Sequence, residues 1–251
     1  KQNSSGKTGT VYVATRGTNQ RGEDVLAFNR WVMVKKQYPD SAAPQTIVPT
    51  LPSAVTPDSF SLPQALKPHG FDFVASGSPH VFEDYAVGEC IDHVDGITVE
   101  ESEHMSAARL YQNTARVHFN QHVEGKGRFG RRIVYGGHII SIARALSFNG
   151  LANAFKIVAV NAGSHVSPVF AGHTVYAWSE VLEKLDVPGH AGVGALRIRT
   201  IACKDHACDD FPLRDAENRY EPHVVLDFDY TVVVPRASTI SLRASTLDTN
   251  A

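Results

Sequence analysis

The sequence lacks the features that mark several classes of protein. Its three cysteines are too few and too unevenly spaced for a disulfide framework, which favours a reducing compartment such as the cytoplasm. No apolar run approaches the roughly 20 residues that cross a bilayer, so no membrane-spanning helix is expected. A net charge of −2 argues against a globally basic nucleic-acid-binding protein. We therefore expect neither a membrane nor a nucleic acid as a partner.

Apolar residues, in contrast, are present in an ordinary proportion. They make up 43% of the 251 residues, enough for a sizeable core in one or two domains. The first residue is Lys1 rather than Met, no secretory signal pattern follows it, and a strand-like pattern begins almost at once. We therefore expect a fragment or a trimmed form of a longer chain.

The N-terminal part predicts a β-hairpin followed by a linker. Residues 10–16 and 24–36 are rich in β-branched and aromatic types and flank a polar turn at 17–22. Because a lone hairpin is marginal in water, these strands are expected to belong to a larger sheet. Residues 37–79 hold eight of the 13 prolines and predict an extended connector that crosses a domain surface.

From residue 80 onward the pattern predicts an α+β domain with two helices. Thr98 to Glu101 reads Thr-Val-Glu-Glu, which fits a capping box and predicts a helix from about residue 99 to Tyr111. Gly136-Gly137 opens a second helix over 138–149, with Gly150 at the position typical of a C-terminal cap. The apolar stripe of that helix recurs at helical spacing and comprises Ile139, Ile142, Ala143 and Leu146.

The remaining pattern predicts strands around that helix. They are expected at 133–135, 155–166, 173–187, 193–204 and 223–234. A long, mostly apolar helix followed by four strands indicates a helix wrapped by an antiparallel sheet. The polar residues at the C-terminus, 237–251, predict a flexible tail.

The segment 111–137 carries the residues best suited to chemistry. His118 can exchange protons near neutral pH. A glycine pair at a helix start, Gly136-Gly137, exposes amide N–H groups suited to an anionic oxygen. Four cations within seven residues suit phosphate groups: Lys126, Arg128, Arg131 and Arg132.

The order of these motifs resembles a known family. Asn113-x4-His118, the basic loop, Ile133-Val134-Tyr135-Gly136-Gly137 and the motif from Val166 to Thr174 are similar to the MaoC-like (hydratase 2) branch of the hotdog fold. Within that branch, the sequences from Tyr111 to Phe119 and from Tyr135 to Ala154 are most similar to the mesaconyl-CoA hydratases. The resemblance implies an α+β double-hotdog architecture, in which an antiparallel sheet wraps a long central helix. It makes 80–236 the C-terminal MaoC-like hotdog domain and 1–36 the last strands of an incomplete N-terminal hotdog.

The resemblance also implies an activity and its residues. The reaction is the reversible addition of water to a branched dicarboxylic enoyl-CoA such as mesaconyl-CoA, giving β-methylmalyl-CoA, by a hydro-lyase. Apart from the coenzyme A of the acyl-CoA substrate, no cofactor or metal is implied, and a homo-oligomer is expected. By this match His118 is the catalytic histidine, Gly136 provides the oxyanion amide and Asn113 completes the catalytic set. The expected substrate-binding residues are Tyr135, Gly137, Arg116, Lys126, Arg128, Arg131 and Arg132.

One departure from the family pattern leaves alternatives open. The wider family has Asp where this chain has Asn113, and an amide is no general base near pH 7. Either His118 carries the proton transfers while Asn113 positions groups, or a carboxylate contributes. The candidate carboxylates are Glu83, Asp84, Glu124 and that of the substrate itself. An acyl-CoA thioesterase and a non-catalytic acyl-CoA-binding module remain alternative functions.

Other histidines and cysteines have simpler interpretations. His118 and His122, four residues apart, lack an obvious third metal ligand, and Cys203 and Cys208 lack a partner pair for zinc. His165 and His173, within or beside the motif that begins at Val166, are expected to serve packing or hydrogen bonding, with a substrate contact as the alternative.

Overall fold

The computed structural model describes residues 1–38 and 40–239. The chain divides into two units, Lys1–Pro52 and Ser53–Ala251. Within the described ranges, no helix is both long and apolar enough to cross a membrane.

The first unit is built on an antiparallel hairpin. Strand β1 (Thr8–Thr18) pairs with β2 (Asp24–Lys35), close to the predicted bounds. Tyr12 and Trp31 stand opposite each other with their ring centroids 4.9 Å apart, a cross-strand aromatic pair that stabilises a pleated ribbon. Most side chains of β2 are exposed, including the apolar Met33.

The second unit is organised by one antiparallel sheet. Its strands are β3 (Cys90–Asp92), β4 (Ile97–Thr98), β5 (Lys156–His165), β6 (Thr174–Asp186), β7 (Val193–Lys204) and β8 (Val224–Pro235). They lie in the order β3-β6-β7-β8-β5, with β4 also paired to β6. The four long strands β5 to β8 occupy the predicted positions, because their dense β-branched residues suit a sheet whose central strands β7 and β8 are buried on both faces.

Three one-turn helices and two longer ones complete the described part of this unit. They are α1 (Phe73–Ser76), α2 (Glu101–Leu110), α3 (Gln121–Glu124), α4 (Gly136–Leu146) and α5 (Phe148–Leu151). Helix α4 ends earlier than the predicted Asn149, because the backbone leaves the helical region at Asn149 and Gly150. Gly150 has a φ of 97°, which favours glycine, as expected of the predicted cap, but it lies at a kink within α5 rather than directly after α4.

The core forms where α4 lies against the inner face of the sheet. The predicted stripe of α4 is confirmed, since Ile139, Ile142, Ala143 and Leu146 are all buried. They pack against sheet residues that include Leu196 and Ile198. Burying one such side chain is worth roughly 1.5–3 kcal/mol. The stripe therefore fixes α4, and with it the position of Gly136, against the sheet.

The outer face of the sheet is covered by part of the expected linker. Phe60, Leu62 and Leu66 pack on a cluster of buried residues at one end of β6, β7 and β8. The backbone N–H of Val55 donates to the side-chain oxygen of Asn161 in β5 at 2.9 Å. Residues 53–79 thus belong to the second unit, although the sequence pattern placed them with the linker.

A series of hydrogen bonds between buried polar side chains connects the segment after α4 to the sheet. His93 is fully buried; its Nδ1 donates to the carbonyl of Asn149 at 2.7 Å, and its Nε2 is 2.8 Å from the Ser179 hydroxyl. The Ser179 hydroxyl continues to Thr200 at 2.7 Å and Thr200 to Tyr230 at 3.1 Å. Burial lowers the pKa of His93 to about 4, so the ring is neutral in the fold.

Two local predictions were wrong. Thr98 does not cap α2: it lies in β4, where its hydroxyl bonds that of Thr174 at 2.8 Å, and Glu100 is the N-cap instead. Residues 133–135 form no strand in the structure. They run extended between two loops, with the N–H of Ile133 donating to Val117 and that of Val134 to Val169. These contacts with loops replace the strand-to-strand hydrogen bonds that the short apolar run 133–135 predicted.

The C-terminal tail is described only in part. Ala237–Thr239 form a 3₁₀ turn with Thr239 buried, rather than the start of a loose tail. The rest of the predicted tail, from residue 240 onward, lies outside the described residues.

Candidate active site

Asn113 sits in a tight turn that follows α2. Gln112 adopts the left-handed region with a φ of 50°, and the side-chain oxygen of Asn113 accepts from the N–H of Ala115 at 2.8 Å. This contact fixes the partly buried amide and leaves its NH2 group as a donor. Within residues 1–38 and 40–239, no hydrogen bond joins Asn113 to His118 or Gly136.

The ring of His118 is held in one orientation. The chain forms a 3₁₀ turn over Arg116–His118, and Nδ1 of His118 is 3.0 Å from the carbonyl oxygen of Ile133. Because a carbonyl accepts but cannot donate, Nδ1 carries the proton in this bond. In the neutral ring Nε2 therefore holds the free lone pair. The ring also meets Tyr135 edge-on, with centroids 5.6 Å apart.

The N-terminus of α4 offers free amide groups beside that ring. Tyr135 is the N-cap and makes no side-chain cap, while its carbonyl accepts from the N–H of His138 at 2.9 Å. In the described part of the chain, the N–H groups of Gly136 and Gly137 have no acceptor. Two amides with a positive helix end behind them suit an oxygen that gains negative charge.

A side chain at either glycine would displace a neighbouring ring. A Cβ on Gly137 would lie 2.7 Å from the ring of Tyr135. A Cβ on Gly136 would lie 2.7 Å from Cε1 of His165, closer than real Cβ contacts come. Glycine at 136 therefore leaves room for a second imidazole at the start of α4.

His165 is the residue of this site that the sequence-based assignment missed. It ends β5 and reaches the start of α4, where packing or hydrogen bonding was the expected role and a substrate contact the alternative. Desolvation lowers its pKa, and nearby His118 lowers it further. Its position directly before the Val166 motif was the available signal, because that motif follows the strand that faces α4.

The cations of the basic loop differ in their contacts, and two of them stack on aromatic rings. Arg131 lies over the ring of Phe170 at 4.2 Å and Arg128 over that of Phe129 at 5.0 Å. The two rings meet edge-on with centroids 5.5 Å apart. These stacked cations form a basic and aromatic surface, the kind that suits phosphates and a purine ring.

Arg132 differs from its neighbours in the loop. Its guanidinium pairs with Glu101 of α2, and its side chain is largely buried. Glu101 also lies 3.3 Å from the buried ring of His104, whose pKa is lowered, chiefly by burial. These contacts tie the loop to α2 and favour a structural role for Arg132. Lys126 and Arg116, in contrast, are exposed and have no side-chain partner among the described residues.

The three carboxylates considered as bases are placed differently. Glu83 accepts from the N–H of Ala237 and Asp84 from that of Val81, both at 2.8 Å, so Glu83 holds the distant turn at 237–239 and Asp84 supports its own turn. Glu124 ends α3 and is partly buried. Across the described ranges, no hydrogen bond or ion pair connects any of the three to His118.

Neither the His118/His122 spacing nor the Cys203/Cys208 spacing forms a metal site among the described residues. His122 is exposed in α3, and Cys203 and Cys208 are buried in an apolar cluster around Trp178. In the part of the chain that the structure describes, no group of three or more His, Cys, Asp or Glu residues is placed to hold a metal ion.

Comparison with other proteins decides the family. The model of the mesaconyl-CoA hydratase family matches residues 1–213. The chain belongs to this family. Over 236 residues it is 60% identical to a β-methylmalyl-CoA dehydratase from Chloroflexus aurantiacus and 53% identical to a mesaconyl-CoA hydratase from Cereibacter sphaeroides. Each alignment covers 94% of this chain and 67% of the relative.

Solved structures agree with the fold of this mesaconyl-CoA hydratase family member. A MaoC domain protein dehydratase from Chloroflexus aurantiacus matches with a TM-score of 0.89 and 60% identity, covering 94% of this chain and 67% of that one. A double-hotdog protein from Mycobacterium tuberculosis matches with a TM-score of 0.58 and 24% identity, covering 90% and 62%. The predicted hotdog fold and the predicted family are confirmed.

Proposed function

We propose that this chain catalyses the reversible addition of water to the double bond of mesaconyl-CoA, giving β-methylmalyl-CoA. Its two relatives are named for a hydratase and a dehydratase, the two directions of such a reaction. In the hydration direction the hydroxyl group joins the β-carbon and a proton joins the α-carbon. The thioester bond stays intact, which makes the enzyme a hydro-lyase.

The orientation of His118 is the observation that carries this proposal. Its Nδ1–H is held by the Ile133 carbonyl, so the lone pair on Nε2 is available to a water molecule. His118 takes a proton from water as the hydroxyl adds to the β-carbon, and the imidazolium then returns a proton to the α-carbon. Positioned acid–base catalysis of this kind contributes typically ~10²–10⁴-fold in rate.

The free amides of Gly136 and Gly137 supply the second requirement. Attack at the β-carbon moves negative charge onto the thioester oxygen, which becomes an enolate oxygen. Amide donors at a helix N-terminus stabilise that charge, and losing one such donor costs ~10²–10³ in rate. Tyr135 packs between His118 and the glycine pair, since its ring contacts the His118 ring and lies against Gly137.

Asn113 serves as a positioning group in this scheme. Its oxygen is engaged by Ala115, so the NH2 group is what it can offer to water or to the substrate carbonyl. The absence of a carboxylate at 113 therefore leaves both proton transfers to His118.

The basic loop suits the coenzyme A part of the substrate. Arg128 and Arg131, with their aromatic partners, combine cations for phosphates with rings for the adenine. Lys126 and Arg116 extend the exposed positive surface, and Arg116 lies two residues before His118, close in sequence to the acyl end. Arg132 is left out of this set because Glu101 holds it.

The same reaction accounts for the remaining expectations. Water addition transfers no electrons to an acceptor, so we propose no redox cofactor. His118 and the amides of Gly136 and Gly137 supply the acid–base and charge-stabilising groups, so the proposed mechanism uses no metal. A cytoplasmic location and self-association remain predictions, the second of which light scattering tests.

Incubation of the chain with mesaconyl-CoA separates the candidate activities. A hydratase lowers the absorbance of the conjugated double bond and releases no thiol. A thioesterase releases free thiol, and a binding module changes neither signal. We expect the first result.

A substitution at His118 tests the residue assignment in the same assay. His118→Ala should lower kcat by ~10²-fold or more in a folded protein. His122→Asn, at an exposed histidine four residues away, is the matched control and should keep full activity. Near-normal turnover by folded His118→Ala would contradict the proposed mechanism.

A further inference from the structure

A second imidazole reaches the start of α4, and the mechanism above does not use it. His165 is the last residue of β5 and pairs with Leu226 of β8. Gly163, two residues earlier and so on the same face of the strand, lies against the core residue Phe228. The side chain of His165 therefore leaves the sheet on the face that carries α4.

The tip of this ring points at the backbone of Gly136. A Cβ built on Gly136 would lie 2.7 Å from Cε1 and 2.8 Å from Cδ2 of His165, and closer still to Nε2. Among residues 1–38 and 40–239, no hydrogen-bond partner is present for either ring nitrogen. His165 is exposed to solvent, and its imidazole thus brings an uncommitted N–H group beside Gly136, whose own amide is free.

The charge state of the ring suits a donor. Desolvation and the neighbouring His118 both lower the pKa of His165, which favours the neutral imidazole with one N–H. When His118 holds the proton taken from water, a second positive charge beside it becomes still less favourable. A neutral imidazole at a helix N-terminus is a known way to polarise a carbonyl group without transferring a proton.

We propose that His165 is a further catalytic residue, which donates a hydrogen bond from its imidazole N–H to the thioester oxygen of the substrate, beside the amides of Gly136 and Gly137. This assignment rests on the proposed hydration of a CoA thioester. His165 forms and breaks no covalent bond in it. The assignment also explains why position 136 has no side chain, since any Cβ there displaces the imidazole.

Two variants separate donation from packing. His165→Phe keeps a ring against Gly136 but removes the N–H, whereas His165→Gln keeps an N–H donor and removes the ring. We expect His165→Phe to lower kcat by ~10²-fold with little change in KM, and His165→Gln to retain a substantial part of the activity. His122→Asn again serves as the control.

A spectrum of a bound, unreactive thioester tests the same contact without turnover. The probe is the saturated analogue 2-methylsuccinyl-CoA, with an isotope-labelled thioester carbonyl, observed by difference infrared spectroscopy on the full chain. Polarisation by His165 should lower the carbonyl stretching frequency in the unmodified chain and in His165→Gln. In His165→Phe most of this shift should be lost.

The variants test the role of His165, and the activity of the unmodified chain tests the proposed function. Unchanged kcat and an unchanged carbonyl shift in folded His165→Phe would overturn the role of His165, while hydration by the unmodified chain would leave the proposed function standing. Equal loss of kcat in both variants with an unchanged carbonyl shift would also overturn it. Failure of the unmodified chain to hydrate mesaconyl-CoA would count against the proposed function, and the infrared shift would still decide the contact.

Discussion

Mild acid should destabilise the second unit through His93. The pKa of this buried ring is about 4 in the fold, against 6.5 for an unperturbed histidine. Between these values the unfolded chain binds a proton that the folded chain does not. The stabilisation by neutral His93 is therefore complete above pH 6.5 and is lost as the pH falls toward 4. Going from about pH 7.5 to about pH 5 should cost about 2 kcal/mol of unfolding free energy.

A variant without a titrating group isolates this contribution. His93→Gln is neutral throughout, so its unfolding free energy should fall by about 2 kcal/mol less than that of the unmodified chain over the same pH range. His122→Gln, at an exposed position, should behave like the unmodified chain. Comparing slopes rather than absolute stabilities removes any loss that the Gln side chain itself causes.

Tryptophan fluorescence reports the unfolding of this unit. The chain has two tryptophans, and Trp31→Phe leaves Trp178, which is buried in the sheet and donates to the carbonyl of Pro212 at 3.0 Å. Urea titrations at each pH give the unfolding free energy. If His93→Gln lost as much stability in acid as the unmodified chain, the reasoning from the buried ring would be refuted.

The remaining predictions concern the site. Asn113→Asp should retain substantial hydration activity or shift the pH profile of kcat, because Asn113 positions groups rather than accepting protons; complete loss at every pH would contradict that role. Gly136→Ala should lower the melting temperature, since its Cβ meets His165, with an overpacking cost of ~1–3 kcal/mol. Adding His165→Ala should restore the melting temperature but not kcat, and additive losses would argue against the contact. Arg131→Gln should raise KM for mesaconyl-CoA more than it lowers kcat, as steady-state kinetics would show; an unchanged KM would remove this arginine from the coenzyme A site.

The fold was predictable where one periodic pattern dominated. The stripe on α4 and the β-branched runs of β5 to β8 were predicted because burial enforces their spacing. The start of α2 was not, since Thr98 satisfies a capping motif locally but is held in β4 by its bond to Thr174. Residues 133–135 resemble a strand in isolation, and the loop partners that replace the ladder are distant in sequence.

The grouping of the candidate site residues was predictable as far as they lie on one stretch of chain. His118, Tyr135 and Gly136 are close in sequence, and the structure brings them together. His165 is brought in by the sheet, so no spacing motif indicated its contact with Gly136. Arg132 could not be distinguished from Arg131 by sequence, because its partner Glu101 lies on a helix far along the chain.

Turnover in water labelled with heavy oxygen distinguishes hydration of the double bond from hydrolysis of the thioester. The chain is incubated with mesaconyl-CoA in this water, and the mass of the acyl-CoA product is measured by mass spectrometry. We expect an intact CoA thioester heavier by one molecule of labelled water, with the heavy oxygen in the new hydroxyl group. Heavy oxygen in a released free acid, together with free coenzyme A, would contradict it and assign thioester hydrolysis instead.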